Sequence, residues 1–171
     1  MKKTLLLTAC CCLFALASCQ KSGLQLFCGN YSFKTSGEVT VQRQATIFDT
    51  IPPTAFTIVL PNEIGQAEIS TLDRKADSVV MVLNYYDGDV VVARGFCQGQ
   101  EITLKEFTYN NLTISIENGL NVTSTVKVNA TGHMYDENTL ILDMNYRGRA
   151  MLGPINYNIQ GEHITLVATR N

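Results

Sequence analysis

The side chains with reactive potential are few and unevenly placed. Four of the six cysteines lie within the first 19 residues, and the other two are Cys28 and Cys97. The two histidines, His133 and His163, belong to no His-x-x-x-His or paired Cys/His spacing, so no zinc site is predicted. A nucleophilic dyad of Cys97 with His133 remains open. So does one of Cys28 with His163, but no motif selects either. We therefore expect a protein that is not an enzyme and that needs no cofactor.

The other groups of polar and charged residues do not match a specific catalytic or binding motif either. There is no Gly-x-Ser-x-Gly elbow, phosphate-binding loop or dinucleotide glycine pattern. Four aspartates around turns lack the regular spacing of a calcium loop, and turn aspartates commonly bind nearby backbone. They are Asp73, Asp77, Asp87 and Asp89. Asp143 lies four positions before Arg147, with Arg149 beyond it. A solvated ion pair on a strand face is a simpler interpretation of these residues than an anion-binding pocket mouth.

The first 19 residues follow the order of a secretory signal. Two lysines precede an apolar stretch at residues 5–16, which is about a dozen residues and too short for a spanning helix. Small residues follow, and the segment Leu16-Ala17-Ser18-Cys19 resembles the bacterial lipobox. This resemblance implies that residues 1–18 are a signal peptide removed before Cys19. It also implies that the sulfur of Cys19 then carries a diacylglyceryl group and that its amino group is acylated.

Lipidation predicts the location of the protein. Two or more acyl chains anchor a protein stably, so we expect a membrane partner through Cys19, with residues 19–27 as a short tether. In Bacteroidetes, surface lipoproteins often carry acidic residues just after the lipidated cysteine, whereas here the first is Glu38. This favours the periplasmic side of the outer membrane over the cell surface. Disulfides form in that compartment, so a Cys28–Cys97 bridge is one prediction and two buried thiols are the alternative.

Composition excludes two broad classes of protein. The 13 Lys+Arg and 15 Asp+Glu residues give a formal net charge of −2, which argues against a nucleic-acid partner. With 46% hydrophobic and 16% charged residues, the chain is not expected to be disordered.

The sequence predicts no helix after residue 19, and it predicts ten to twelve strands in the rest of the chain. The clearest hairpin joins residues 78–86 and 89–96 through Asp87-Gly88, a pair typical of tight β-turns. Residues 30–34 and 38–43 predict a second hairpin, and residues 155–159 and 163–169 a third, across Gln160-Gly161. Gly153-Pro154 predicts a turn, and Gly148 a β-bulge. Turns at such short intervals indicate a barrel or a sandwich.

Three segments carry a family resemblance. They are residues 28–33 (CGNYSF), residues 100–109, and residues 130–135 (ATGHMY) together with 140–142 (LIL). In these, and in its lipobox, the chain resembles small Bacteroidetes lipoproteins with a calycin-like (lipocalin-like) domain. The resemblance implies a single antiparallel β-barrel over residues 28–171, with a β-sandwich as the alternative. The chain has no Trp, so the Gly-x-Trp of true lipocalins is missing.

Two hypotheses for function follow. Residues 79–83 and 90–92 are apolar on both strand faces, so we expect them to be covered on both sides or to line a cavity. An eight-stranded barrel can hold one small ligand, and the first hypothesis is a non-enzymatic lipoprotein that binds a small apolar or amphipathic molecule. The alternative is a protein-interaction module: an accessory of an envelope complex, an inhibitor or an adhesin-like domain. A membrane-spanning barrel is not expected, because residues 79–83 break the required alternation.

Overall fold

The computed structural model describes residues 23–50, 52–72, 77–116 and 119–171. Cys19, the predicted signal peptide and Asp73 therefore lie outside the described residues. The elements are α1 Leu24–Phe27, β1 Gly29–Ser36, β2 Glu38–Arg43, β3 Ala55–Val59, β4 Ile64–Thr71, β5 Ser78–Tyr85, β6 Val90–Gln98, β7 Glu101–Ile116, β8 Leu120–Met134, β9 Thr139–Leu152 and β10 Ile155–Arg170. Within these residues, no helix has the length and apolar character needed to cross a bilayer.

The ten strands make a closed, eight-stranded antiparallel barrel. The order is β1-β4-β5-β6-β7-β8-β9-β10, and β10 pairs back with β1 to close it. β2 continues β1 along β10, and β3 pairs with β2 just as β4 pairs with β1. Successive passes of the chain are therefore neighbours, as in an up-and-down barrel. The predicted single antiparallel barrel is confirmed, and the sandwich alternative is not what forms.

Two predicted hairpins are wrong for a shared reason. Residues 30–34 and 38–43 do not fold back on each other, because β1 and β2 both pair with β10. Residues 155–169 are likewise a single strand, with a bulge between Gly161 and Ile164. A Cβ on Gly37 would lie 3.0 Å from the Cα of Ile164, and one on Gly161 would lie 2.9 Å from Val39 Cγ1. These glycines permit close approach of two passes rather than reversal of the chain.

Two other turns form as predicted, and a predicted bulge does not. Asp87-Gly88 does join β5 to β6, with Asn84 opposite Val90 and Gly88 at φ 100°. Gly153 also turns the chain between β9 and β10, at φ 58°. The bulge predicted at Gly148 is wrong, because its pairing with both neighbouring strands is unbroken. A Cβ there would lie only 2.5 Å from the carbonyl oxygen of Thr125, so this glycine also permits close approach.

The interior of the barrel is filled by side chains. Five tyrosines are at most 6% exposed, namely Tyr31, Tyr85, Tyr109, Tyr146 and Tyr157. A side chain that lined an empty space large enough for a ligand would itself be accessible, so these exposures indicate a packed core. The outward positions are mostly polar, as along β8, where Thr123, Thr125, Lys127 and Asn129 alternate with buried residues. A membrane-spanning barrel has the opposite polarity, with an apolar band facing lipid.

The prediction of no helix after residue 19 is wrong, because Leu24–Phe27 form α1, which is too short to show a helical period in the sequence. This helix closes one end of the barrel, which we call the anchor end. Phe27 is fully buried, and its carbonyl accepts a hydrogen bond of 2.7 Å from the hydroxyl of Tyr31. Arg170 Nη2 donates to that hydroxyl at 2.7 Å and also to the carbonyl of Leu26. The last four residues of the predicted tether are thus packed on the barrel. At the other, distal end lie the end of β2, the start of β3, and the β7–β8 and β9–β10 turns.

Candidate functional site

The two predicted bridging cysteines lie near the anchor end. Cys28 is half-buried, Cys97 is buried, and both are free thiols. Burial, and then the neighbouring charges of Cys28 and Asp77, raises the pKa of Cys97 to about 12. The Cys28–Cys97 bridge stays a prediction, and Cys97 is too firmly protonated to serve as a ready nucleophile.

The structure does not assemble either Cys–His dyad. Cys97 points into the barrel, whereas His133 is exposed on the outer face of β8. His163 is also outside, where its Nδ1 lies 2.8 Å from Asp143 Oδ2. Among the described residues, no hydrogen bond joins a cysteine to a histidine, and no group of three or more metal-ligating side chains forms.

Asp143 pairs with a different side chain from the one that its sequence spacing suggested. Asp143 and Arg147 share the outer face of β9, but the carboxylate bonds to His163 instead. That hydrogen bond, followed by the Asp143 charge, raises the pKa of His163. His163 adopts φ 59° in the bulge of β10, and this conformation brings its ring over Asp143. A bulge is a long-range feature of pairing, so the sequence spacing alone did not indicate this contact.

A groove of about 490 Å³ lies on the outer surface of the barrel, over β7, β8 and β9. Its walls include Glu101, Thr103, Thr131, His133 and Asp143. Carboxylates, hydroxyls and an imidazole can donate and accept hydrogen bonds, but the groove is open to solvent and contains no paired nucleophile and base. Its position on the outside contrasts with the interior ligand site that the sequence led us to consider.

A partly buried carboxylate, that of Glu63, lies near the end of the β5–β6 hairpin. The Tyr109 hydroxyl donates to Glu63 Oε1 at 2.7 Å, and burial raises the pKa of Glu63. Tyr85 stacks on Tyr109 with ring centroids 5.1 Å apart, and Phe33 meets Tyr85 edge-on at the same distance. Burial raises the pKa of Tyr109 as well. These tyrosines fill and order the core.

The outer faces of β5 and β6 depart from the polar exterior in a patch that we call the lateral valine surface. It consists of outward side chains of β5 and β6: Val80, Val82, Val90, Val92 and Phe96. Val82 lies directly opposite Val92, and Val90 and Val92 are 62% and 53% exposed. The inward residues of the same strands belong to the core. The sequence indicated that both faces are apolar, but among the described residues nothing covers the outer one.

Comparison with known proteins identifies no family. No protein-family model matches the chain, and no curated protein matches it. Among solved structures, a crystal structure of Ail, the attachment invasion locus protein of Yersinia pestis, resembles it with a TM-score of 0.37 and 10% sequence identity. The match covers 83% of this chain and 99% of that chain. So distant a likeness carries no argument about function, and the class of protein is defined by its own fold, an up-and-down β-barrel with a packed interior.

Proposed function

We propose that the protein is a non-enzymatic lipoprotein of the cell envelope that binds a protein partner through the lateral valine surface. It is held through lipidated Cys19, on the periplasmic side of the outer membrane. The observation that carries this proposal is the exposure of Val90 and Val92 on a barrel whose exterior is otherwise mostly polar.

The geometry of the surface suits a binding role. Two paired strands present their valines side by side, and contiguous exposed apolar patches mark interaction sites. Valine side chains are stiff at χ1, so little rotamer freedom is lost when a partner covers them. The flanking outward residues are polar, with Glu68 opposite Val82 on β4 and Arg94 opposite Val80. A polar rim around an apolar centre is the usual anatomy of a protein interface.

A small ligand inside the barrel remains the other hypothesis from the sequence. This hypothesis is based on the apolar character of both faces of residues 79–83 and 90–92. In the structure one face of these strands packs in the core and the other forms the lateral valine surface, which accounts for that character without a ligand. The packed tyrosines leave this hypothesis without support among the described residues.

The tether would keep the lateral valine surface near the bilayer. Five residue steps separate Cys19 from Leu24, so a fully extended tether spans about 18 Å. The valines lie on strands that run between the middle of the barrel and its anchor end. A partner in or near the outer membrane would therefore be within reach.

Matched substitutions test the proposed interface. Val82→Thr/Val92→Thr removes apolar surface while keeping β-branched residues suited to strands. Val167→Thr makes the same change on the outer face of β10, at a residue 38% exposed. With a photo-crosslinking residue at position 90 in cells, we expect a discrete adduct that the double variant abolishes and Val167→Thr retains. An unchanged adduct in the double variant, or no adduct at position 90, would refute a protein interface there.

The anchor is tested separately. Cys19→Ser removes the sulfur that would carry the lipid, so the chain should leave the membrane fraction and lose its acyl mass. If it remains membrane-bound with unchanged mass, Cys19 is not the anchor. This result does not depend on the lateral valine surface.

A further inference from the structure

A second surface lies near the distal end of the barrel, on the outer faces of β2, β8, β9 and β10. Strand register aligns its residues in two rows. One row contains Lys127, Arg147, Gln160 and Thr40, and the other contains Thr125, Arg149, Asn158 and Gln42. We call these eight residues the distal face. It contains no carboxylate, although acidic residues outnumber basic ones in the whole chain.

The charges of the distal face are arranged at a cost to stability. Lys127 lies directly opposite Arg147, and like charges in that position repel. Arg149 is two residues further along the same face, about 7 Å away. Glu106 pairs with Lys127 at 2.7 Å, but neither arginine side chain has an ion pair or hydrogen bond with any described residue. The two guanidinium groups are therefore free to bind an external anion.

The remaining side chains of the distal face are amides and hydroxyls, which donate and accept hydrogen bonds. Beside them, the loop after β2 presents Phe48, which is 86% exposed. Gln44 ties this loop to β10 through a 2.9 Å hydrogen bond to Asn158. Asp49 accepts from Arg43, and this guanidinium together with Thr46 lowers the pKa of Asp49 to about 2. An aromatic side chain is thus held at the edge of a cationic, hydrogen-bonding surface.

We propose that the distal face binds an acidic glycan, a polyhydroxylated chain that carries carboxylates. The arginines would pair with the carboxylates, the amides would bind sugar hydroxyls, and Phe48 would pack against a sugar ring. Charge complementarity selects an anion. The amide and hydroxyl character of the rows favours a polyol over an acidic protein, whose interface would need an apolar centre.

The position of the distal face supports a partner away from the anchor. Arg149 lies ten residues beyond the start of β9 at the anchor end, which is about 30 Å along the strand. The distal face therefore lies toward the opposite end of the barrel from α1. The inference does not depend on the lateral valine surface, which lies on β5 and β6.

Calorimetry with matched oligosaccharides tests the proposal. The full chain, produced with its own leader, is purified from membranes in a nonionic detergent. It is titrated with a β-1,4-linked mannuronate hexamer and with β-1,4-mannohexaose, which lacks the carboxylates. Hexaglutamate represents an acidic protein segment. We expect the uronate to bind, more weakly at higher ionic strength, and the neutral hexamer to bind at least tenfold less tightly.

Variants locate the site. Arg147→Gln/Arg149→Gln should weaken uronate binding about tenfold or more, and Phe48→Ala should weaken it to a lesser degree. Lys34→Gln, on the outer face of β1, removes one cation elsewhere and should leave affinity unchanged. Hexaglutamate binding as tight as the uronate would overturn the assignment to a glycan. No uronate binding, or equal losses in Lys34→Gln and the double arginine variant, would overturn the site itself.

Discussion

Arg170 should be one of the most sensitive side chains for stability, because it fastens α1 to the barrel. Its Nη2 donates to the Tyr31 hydroxyl at 2.7 Å and to the Leu26 carbonyl, and Nη1 donates to the Glu137 carbonyl at 3.1 Å. The guanidinium carbon also lies 5.3 Å from the centroid of the Tyr31 ring. Arg170→Met removes these donors while keeping much of the aliphatic stem.

The expected loss follows from the number and kind of contacts. Hydrogen bonds from a charged group contribute about 1.5–3 kcal/mol each, but Arg170 is partly exposed, so water replaces part of that. We expect the free energy of unfolding to fall by about 3 kcal/mol. For a domain of this size the melting temperature should fall by roughly 10 °C. Lys34→Met, on an exposed strand face, should change the free energy by less than about 0.5 kcal/mol.

A double-mutant cycle with Tyr31→Phe isolates the central contact. The Tyr31 hydroxyl accepts from Arg170 and donates to the Phe27 carbonyl, so the two substitutions should be non-additive by about 1 kcal/mol. Urea denaturation gives the free energies, and hydrogen exchange at the Cys28 amide, which bonds to the Leu24 carbonyl, reports on α1. Additive energies, or unchanged Cys28 exchange in Arg170→Met, would show that this contact does not hold the helix.

Three further predictions concern Gly132, the contact of Asp143 with His163, and the two cysteines. Gly132→Ala should destabilise the barrel by about 2 kcal/mol or more in urea denaturation, because the new Cβ would lie 2.3 Å from the Ile141 carbonyl oxygen; a wild-type midpoint would contradict this. Asp143→Asn should lower the pKa of His163 in an NMR titration. Because that pKa is raised on folding, the contact stabilises the fold below pH 6.5 and this contribution is lost as pH rises through the raised pKa, so the variant should lack that dependence. Intact mass of protein from the periplasm should be two hydrogens lower than after reduction if Cys28 and Cys97 are bridged, and free alkylation of both would exclude the bridge.

Some features were predictable because they depend on neighbouring residues. Asp87-Gly88 between apolar runs specifies a tight turn locally, and the β5–β6 hairpin forms as expected. Glycine was harder to interpret, because the same residue serves turns and close approaches. The sequence predicts turns at Gly37 and Gly161, but both lie where the first pass meets β10, so their role depends on strands far away in sequence.

The candidate sites also combine features that the sequence predicts with features that depend on strand pairing. The apolar character of residues 79–83 and 90–92 was evident, but the expectation of cover on both faces assumed neighbours that the barrel does not supply among the described residues. The pairing of Asp143 with His163 depends on a bulge in β10, and the rows of the distal face depend on the register of four strands. No spacing within a single strand reveals such cross-strand arrangements.

The sequence by itself determined the strand-forming alternation and the turn at Asp87-Gly88, and its lipobox is the basis for the predicted anchor. Each of these depends on a short run of residues whose chemistry acts locally. Only the tertiary structure decided that eight passes close into a barrel, that tyrosines fill its interior, and that Val90 and Val92 remain outside. Closure and register are set by pairings between distant segments, and burial is a property of the whole barrel rather than of any one strand.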